Sequence, residues 1–292
     1  MDRKIHIMGI VNLTGDSFYA GSRTDAGSAL ARIRQMQADG ADVIDLGACS
    51  TRPGAPQPSL EEEWARLEPV LQQLPGKTEG GSGTFARTGS RSDVEETPSV
   101  FPALSIATYR SEIVRRAYDL IGPFMVNDIS AGEMDPEMLE TVGRLGLPYV
   151  AMHMRGTPET MQQFTQYGDI IADIKAYFRD FALKAADAGI AHWLLDPGFG
   201  FSKTLEQNWE LLRRVEELLE LNRPILVGVS RKSMIYKALG ITPEEAMPAT
   251  EVIQFAALEK GATWLRAHDV AAAVQTAKLY STIYTSSPGA AK

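Results

Sequence analysis

The chain has 292 residues, 44% hydrophobic and 23% charged, with a formal net charge of −8 from 29 basic against 37 acidic residues. That composition suits a soluble protein with a full core, and the acidic balance speaks against nucleic acid or an anionic membrane surface as a partner. A single cysteine, Cys49, leaves no internal disulfide, no apolar run reaches 18 residues, and Met1 to Lys4 lead straight into a strand-like run without a signal-peptide core, so the expected location is the cytoplasm.

Residues 5–11 read as a strand ending at Asn12, Thr14 and Asp16, and residues 26–37 as a helix by the spacing of Ala29, Leu30, Ile33 and Met36. Residues 42–46 predict a second strand, followed by Ser50, Thr51, Arg52 and Pro53. Ser59 caps a helix running to about residue 74, with Glu61, Glu62 and Glu63 in its first turn as the helix dipole favours. Residues 76–97, dominated by Gly, Ser, Thr, Arg and Glu, read as a polar insertion. Lying between a helix and a strand, it belongs on the face away from the strand C-termini.

Residues 100–106 predict the third strand, ending at Ala107-Thr108, and residues 109–120 a helix. A strand over 124–126 ends at Asn127-Asp128, and a helix follows over 136–145. The fifth strand, 149–152, ends at His153 and Arg155 before a helix over 170–188. The sixth, 193–195, ends at Asp196-Pro197-Gly198 before a helix over 205–219. The seventh, 225–229, stops at Ser230-Arg231-Lys232, with helices over 232–239 and 249–260. The eighth, 263–265, ends at Arg266 and His268, and a helix from 270 to about 282 closes the chain. Eight strand–helix units predict one α/β domain, a (β/α)8 TIM barrel over residues 1–286 with a tail at 287–292. An open doubly wound sheet fits less well, because the first turn, Asn-Leu-Thr-Gly-Asp, is not a glycine-rich phosphate loop.

A barrel brings its strand ends together. Arg231 and Lys232, two cations at the end of an apolar strand in an acidic chain, point to a site for an anion or a polar ring; the plainer reading is a solvated turn. Asp196 is either a turn residue before Pro-Gly or a carboxylate that hydrogen-bonds a guanidine-like edge such as a 2-aminopyrimidinone. Asn127 would read a second edge of the same ring. Arg266 and His268 suit an oxyanion or diphosphate, since barrels often bind phosphate at their seventh and eighth loops. Asn12 offers an amide oxygen to a phosphate-bound Mg²⁺. Cys49 has no evident base and reads as a packing residue. These residues describe an enzyme that binds a polar heterocycle and a diphosphate; alone they do not name the reaction.

Seven segments carry a resemblance. They are residues 8–18 (Met-Gly-Ile-Val-Asn-Leu-Thr-Gly-Asp-Ser-Phe), 45–54 (Asp-Leu-Gly-Ala-Cys-Ser-Thr-Arg-Pro-Gly), 127–130, 152–161, 195–203, 228–233 and 266–270. In that order they resemble the dihydropteroate synthase family across nearly the whole chain except 76–97. The resemblance implies condensation of 6-hydroxymethyl-7,8-dihydropterin diphosphate with 4-aminobenzoate, with release of pyrophosphate, and a homodimer. By the same resemblance Asn127, Asp196, Lys232, Met152 and Gly228 hold the pterin. Asn12, Arg266 and His268, with Mg²⁺ on Asn12, hold the diphosphate. Thr51, Arg52, Pro53, Phe201 and Ser230 form the aminobenzoate side, and Asp16, Arg52 and Lys232 serve catalysis. The chain departs from the family at Ala107, where an aspartate contacts the pterin. Loss of that hydrogen bond is worth on the order of 1–3 kcal/mol if the ring is left unpaired. Gly15, Ala20, Ala48 and Cys49 are milder departures. Ala107 keeps open a pterin-binding paralogue without synthase activity, and the barrel type keeps open a pterin-dependent methyltransferase.

Overall fold

Short β-branched runs alternate with amphipathic segments, and in the computed structural model, which describes residues 4–13, 26–50, 57–74 and 103–285, each run becomes a parallel strand. The strands are β1 (His6–Asn12), β2 (Val43–Gly47), β3 (Leu104–Ala107), β4 (Met125–Asp128), β5 (Tyr149–Met152), β6 (Trp193–Asp196), β7 (Leu226–Val227) and β8 (Trp264–Ala267). The helices that return the chain are α1 (Ala26–Ala38), α2 (Leu60–Leu71), α3 (Ser111–Ile121), α4 (Met138–Leu145), α5 (Ile170–Asp187), α6 (Leu205–Arg214), α7 (Ser233–Leu239), α8 (Met247–Glu259) and α9 (Val270–Thr285). The sheet runs β6-β5-β4-β3-β2-β1-β8-β7, and a bridge between Leu195 and Ile225 brings its two ends together. The eight strands form a (β/α)8 TIM barrel. The insertion expected at 76–97 and the tail at 287–292 fall outside the described residues.

Local chemistry sets several element ends. Ser59 accepts the Glu62 amide while the Glu62 carboxylate accepts the Ser59 amide, a reciprocal cap at the start of α2. Thr204 and Gln207 repeat the device at α6. The helix expected to reach residue 219 stops at Arg214, and Val215–Leu221 tightens into a 3-10 helix. Its buried residues, Val215 and Leu218, lie three apart, which matches three residues per turn. Strands β4, β6 and β8 run further than their apolar runs suggest and take in Asn127, Asp196 and Arg266. Polar side chains at these positions face the interior while the backbone continues the ladder.

The side-chain period of two divides each strand between two cores. One set packs outward under the helices. The other turns inward, where Met8, Val43, Met125, Val150, Leu194, Leu226 and Trp264 form a separate apolar floor drawn from seven of the eight strands.

Helix α4 lies tightly against the end of α5. A Cβ built on Gly143 would stand 1.7 Å from the Ala188 carbonyl oxygen, backbone that cannot move aside. Gly143→Ala is therefore expected to lower stability by about 1–3 kcal/mol in urea unfolding. Gly168→Ala, which meets nothing within 4 Å, should leave the midpoint close to the parental value.

Candidate active site

One step of two residues beyond the floor, the inward positions change character. Val43 is followed by Asp45, Met125 by Asn127, Val150 by Met152, Leu194 by Asp196, Leu226 by Gly228 and Trp264 by Arg266. Six parallel strands thus deliver a second layer at the C-terminal end of the barrel, and Asn12 and Ala107 join it from β1 and β3. Ala107 pairs in register with Gly47 on one side and Asn127 on the other.

Asp45 is fully buried at the centre of this layer. Its Oδ2 accepts two hydrogen bonds, from Asn127 Nδ2 at 2.9 Å and Arg266 Nε at 2.8 Å, and forms an ion pair with Arg266 Nη2 at 2.8 Å. Asn127 and Arg266 lie on strands two positions away on either side, so these contacts cross the barrel interior. The other oxygen, Oδ1, is buried and has no partner among the described residues, and neither has Ser105 Oγ, its register neighbour on β3.

Asp196 is 7% exposed, and its Oδ1 accepts the Gly198 amide at 2.8 Å. Burial pushes its carboxyl up, while Lys232, the Gly198 amide and Arg266 pull it back. Lys232 ends the loop after β7. Its Nζ donates to the Phe199 carbonyl and lies 4.7 Å from the centre of the Phe201 ring. Loss of hydration pulls the Lys232 ammonium down to about 8, with Asp196 opposing and Arg266 assisting. His268 shares hydrogen-bonding distance with Ser230 Oγ, 3.1 Å from Nδ1, and its amide donates to the same oxygen. Burial, then Arg266, bring the His268 ring down to about 4, so it is neutral at physiological pH. Ser230 thus stands within reach of His268. Asp16, Thr14, Thr51, Arg52 and Pro53 lie outside the described residues.

Several polar strand ends turn away from this layer. Arg231, one of the two cations that first drew attention to the seventh strand, adopts a left-handed backbone (φ 53°) and grips Asp269 through Nε and Nη2 at 2.8 and 2.9 Å. It also donates to the Pro243 and Glu244 carbonyls, so it fastens the β7 and β8 loops together and leaves Lys232 as the member of that pair turned to the interior. Asp128, one residue out of phase with Asn127, accepts from Tyr149, Ser130 and Gly132 and builds the turn after β4. Arg155 stacks over Tyr167 and pairs with Asp173. Cys49 lies 3.9 Å from Arg110, and burial pushes its thiol well up, which suits packing. Arg110 also pairs with the fully buried Glu63, which the sequence suggested only as a dipole partner in the first turn of α2.

Two site residues escaped sequence reasoning. Asp45 sits in the middle of an apolar strand, and its one sequence signal is an acid at an inward-facing position. Lys203 is buried and donates from Nζ to the Gly198 and Phe201 carbonyls at 3.0 and 3.1 Å, with His153 Nδ1 at 3.0 Å. It holds the Gly198 and Phe201 carbonyls and Lys232 holds the Phe199 carbonyl of the same loop.

The pterin binding enzyme family matches residues 8–80 and 94–268. The chain is 36% identical to dihydropteroate synthase of Escherichia coli (strain K12) over 277 residues, which is 94% of this chain and 90% of that protein. Yersinia pestis dihydropteroate synthase, solved with a sulfonamide drug, superposes with a TM-score of 0.84 at 33% identity, covering 98% of this chain and 97% of that one. The Xanthomonas albilineans enzyme, solved with 4-aminobenzoic acid, gives a TM-score of 0.82 at 33% identity over 97% and 94% of the two chains.

Two pH effects follow. Ligand binding that uses the Lys232 cation should weaken as pH rises through about 8, and the step should be missing in Lys232→Met when affinity is followed from pH 6.5 to 9.5. His268 titrates lower in the fold than its ordinary 6.5, so the unfolded chain takes up the proton first, and its contribution to stability is lost as pH falls from about 6.5 towards 4. The urea stability of the parental chain relative to His268→Gln should fall over that window.

Proposed function

The chain belongs to the pterin binding enzyme family, and on that premise we propose that it is a transferase of folate biosynthesis that joins 6-hydroxymethyl-7,8-dihydropterin diphosphate to 4-aminobenzoate, giving 7,8-dihydropteroate and pyrophosphate. The observation that carries the reading is the single inward layer holding both a carboxylate with an amide (Asp196, Asn127) and a cationic group (Lys232, Arg266). A polar ring and a diphosphate need those two chemistries side by side.

In this reading Asp196 and Asn127 hold the pterin edge, with Met152 beneath the ring and Gly228 leaving room for it. Arg266 and His268 receive the diphosphate, His268 as a neutral hydrogen-bonding group oriented by Ser230. The bond between the pterin methylene and the diphosphate oxygen breaks, and the cations offset the negative charge that develops on the leaving group. The aniline nitrogen attacks the methylene, forms the new carbon–nitrogen bond and releases its proton. No protein nucleophile takes part; the chain orients the reactants and excludes water. Lys232 joins Asp196 and Asn127 on the pterin, and Phe201 and Ser230 line the aminobenzoate side, where sulfonamides compete. Thr51, Arg52 and Pro53 complete that side, and Asp16 and Arg52 order the covering loops.

Mg²⁺ belongs to this reading. Asn12 ends β1 with its Oδ1 3.6 Å from where a Gly47 side chain would begin, so the bare glycine keeps its approach open. A single neutral amide oxygen fits an ion held mainly by phosphate and water. When bound, Mg²⁺ would neutralise charge on the departing diphosphate.

A homodimer and a cytoplasmic location complete the proposal. The support for the first is an exposed apolar set on the last helices, Val252, Leu279, Ile283 and Tyr284. The support for the second is a single cysteine; among the described residues no helix is long and apolar enough to cross a membrane.

Pyrophosphate release is expected only when the pterin diphosphate, 4-aminobenzoate and Mg²⁺ are all supplied, and Arg266→Met should lower kcat/KM by roughly 100-fold or more. Ala107→Asp, which restores the carboxylate of the family pattern, should tighten pterin binding by about tenfold to a hundredfold. Pterin binding without pyrophosphate release in both the parental and Ala107→Asp chains would instead identify a binding paralogue.

A further inference from the structure

We infer that Asp45 is a positioning residue that keeps Arg266 away from Asp196 and so preserves the carboxylate that reads the pterin. The inference rests on the synthase reading.

Two buried carboxylates, Asp45 and Asp196, share the inward layer with one guanidinium. Gly228 provides no side chain to separate Arg266 from Asp196: a Cβ built there would lie 3.8 Å from Asp196 Oδ2 and 3.9 Å from Arg266 Cβ. Arg266 nevertheless puts both Nε and Nη2 on Asp45 Oδ2. The lopsided use of Asp45 points the same way. Both side chains crowd onto Oδ2 while buried Oδ1 has no partner among the described residues, so the carboxylate is placed to hold two side chains rather than to satisfy itself.

The same oxygen settles the orientation of Asn127. Only an N–H can face a carboxylate, so Nδ2 points to Asp45 and the carbonyl oxygen of the amide is the atom left for a ligand. Asn127 and Asp196 then both present acceptors. They select a heterocycle edge that carries donors, as an amino group beside a ring N–H does. If Arg266 swung onto Asp196, one of those two acceptors would be consumed.

Asparagine at position 45 can still accept from Asn127 through its amide oxygen but can no longer hold the guanidinium as an ion partner. The test therefore measures 6-hydroxymethylpterin and inorganic pyrophosphate binding by calorimetry for the parental chain, Asp45→Asn, Arg266→Met and the double variant. Asp45→Asn should weaken pterin binding roughly 10- to 100-fold, the scale of one buried charged hydrogen bond. Arg266→Met alone should leave pterin affinity within about threefold while abolishing pyrophosphate binding. The double variant should recover near-parental pterin affinity, because the stray cation is gone. A double variant no better than Asp45→Asn would overturn the inference and leave Asp45 a purely structural group. If Asp45→Asn does not fold, Asp45→Ser is compared with Asp45→Ser/Arg266→Met, and equal pterin affinities would overturn the inference. A parental chain that binds neither probe would count against the synthase reading and the role of Asp45 together. A parental chain that binds both, without recovery in the double variant, would count against Asp45 alone.

Discussion

The site depends on the buried contact of Asp45 with Arg266 and Asn127. A carboxylate with no exposure is costly to bury unless a cation and further donors meet it, and here one oxygen receives both the Arg266 guanidinium and the Asn127 amide. The contact ties β2 to β4 and β8 across the barrel interior. The barrel geometry beneath makes this possible: on six strands the residue two places beyond an apolar floor residue lands in the same layer.

This acidic chain concentrates cations at the strand ends. Lys232 and Arg266 both act on Asp196, and the drop of the Lys232 ammonium to about 8 reflects lost hydration, which Asp196 only partly offsets. His268 is held neutral by the same burial and by Arg266. Cations with weak solvation bind an incoming diphosphate more strongly than they would at the surface. The adjacent Arg231, by contrast, is consumed by Asp269 and two carbonyls because the left-handed turn at that residue swings it off the interior face. Two neighbouring cations thus divide: Lys232 turns to the interior and Arg231 ties two loops.

Much of the fold was legible because its signals are local. The eight alternations, the Ser59 cap and the helix over α5 depend on hydrophobic period and capping chemistry within a few residues of one another. The end of α6 was less legible, since the change to a 3-10 helix at Val215 reflects which faces are buried rather than any breaker in the chain. In the site, Asp196, Asn127, Arg266 and His268 stood out as polar residues closing apolar runs. Asp45 and Lys203 did not, because a lone acid inside a strand and a lysine after a glycine-rich turn have no local feature that reveals what faces them.

By itself the sequence determined the eight-unit barrel, its polar rim and the family pattern, since periodicity, caps and ordered motifs are properties of neighbouring residues. Only the tertiary structure decided which polar residues of that rim face inward. Asn127 and Lys232 do; Asp128 and Arg231, one residue away from each, do not. The same closure of the barrel joined Asp45 to partners 82 and 221 positions away. Inward and outward differ by a single residue of register or one turn of backbone, and barrel closure is what sets both.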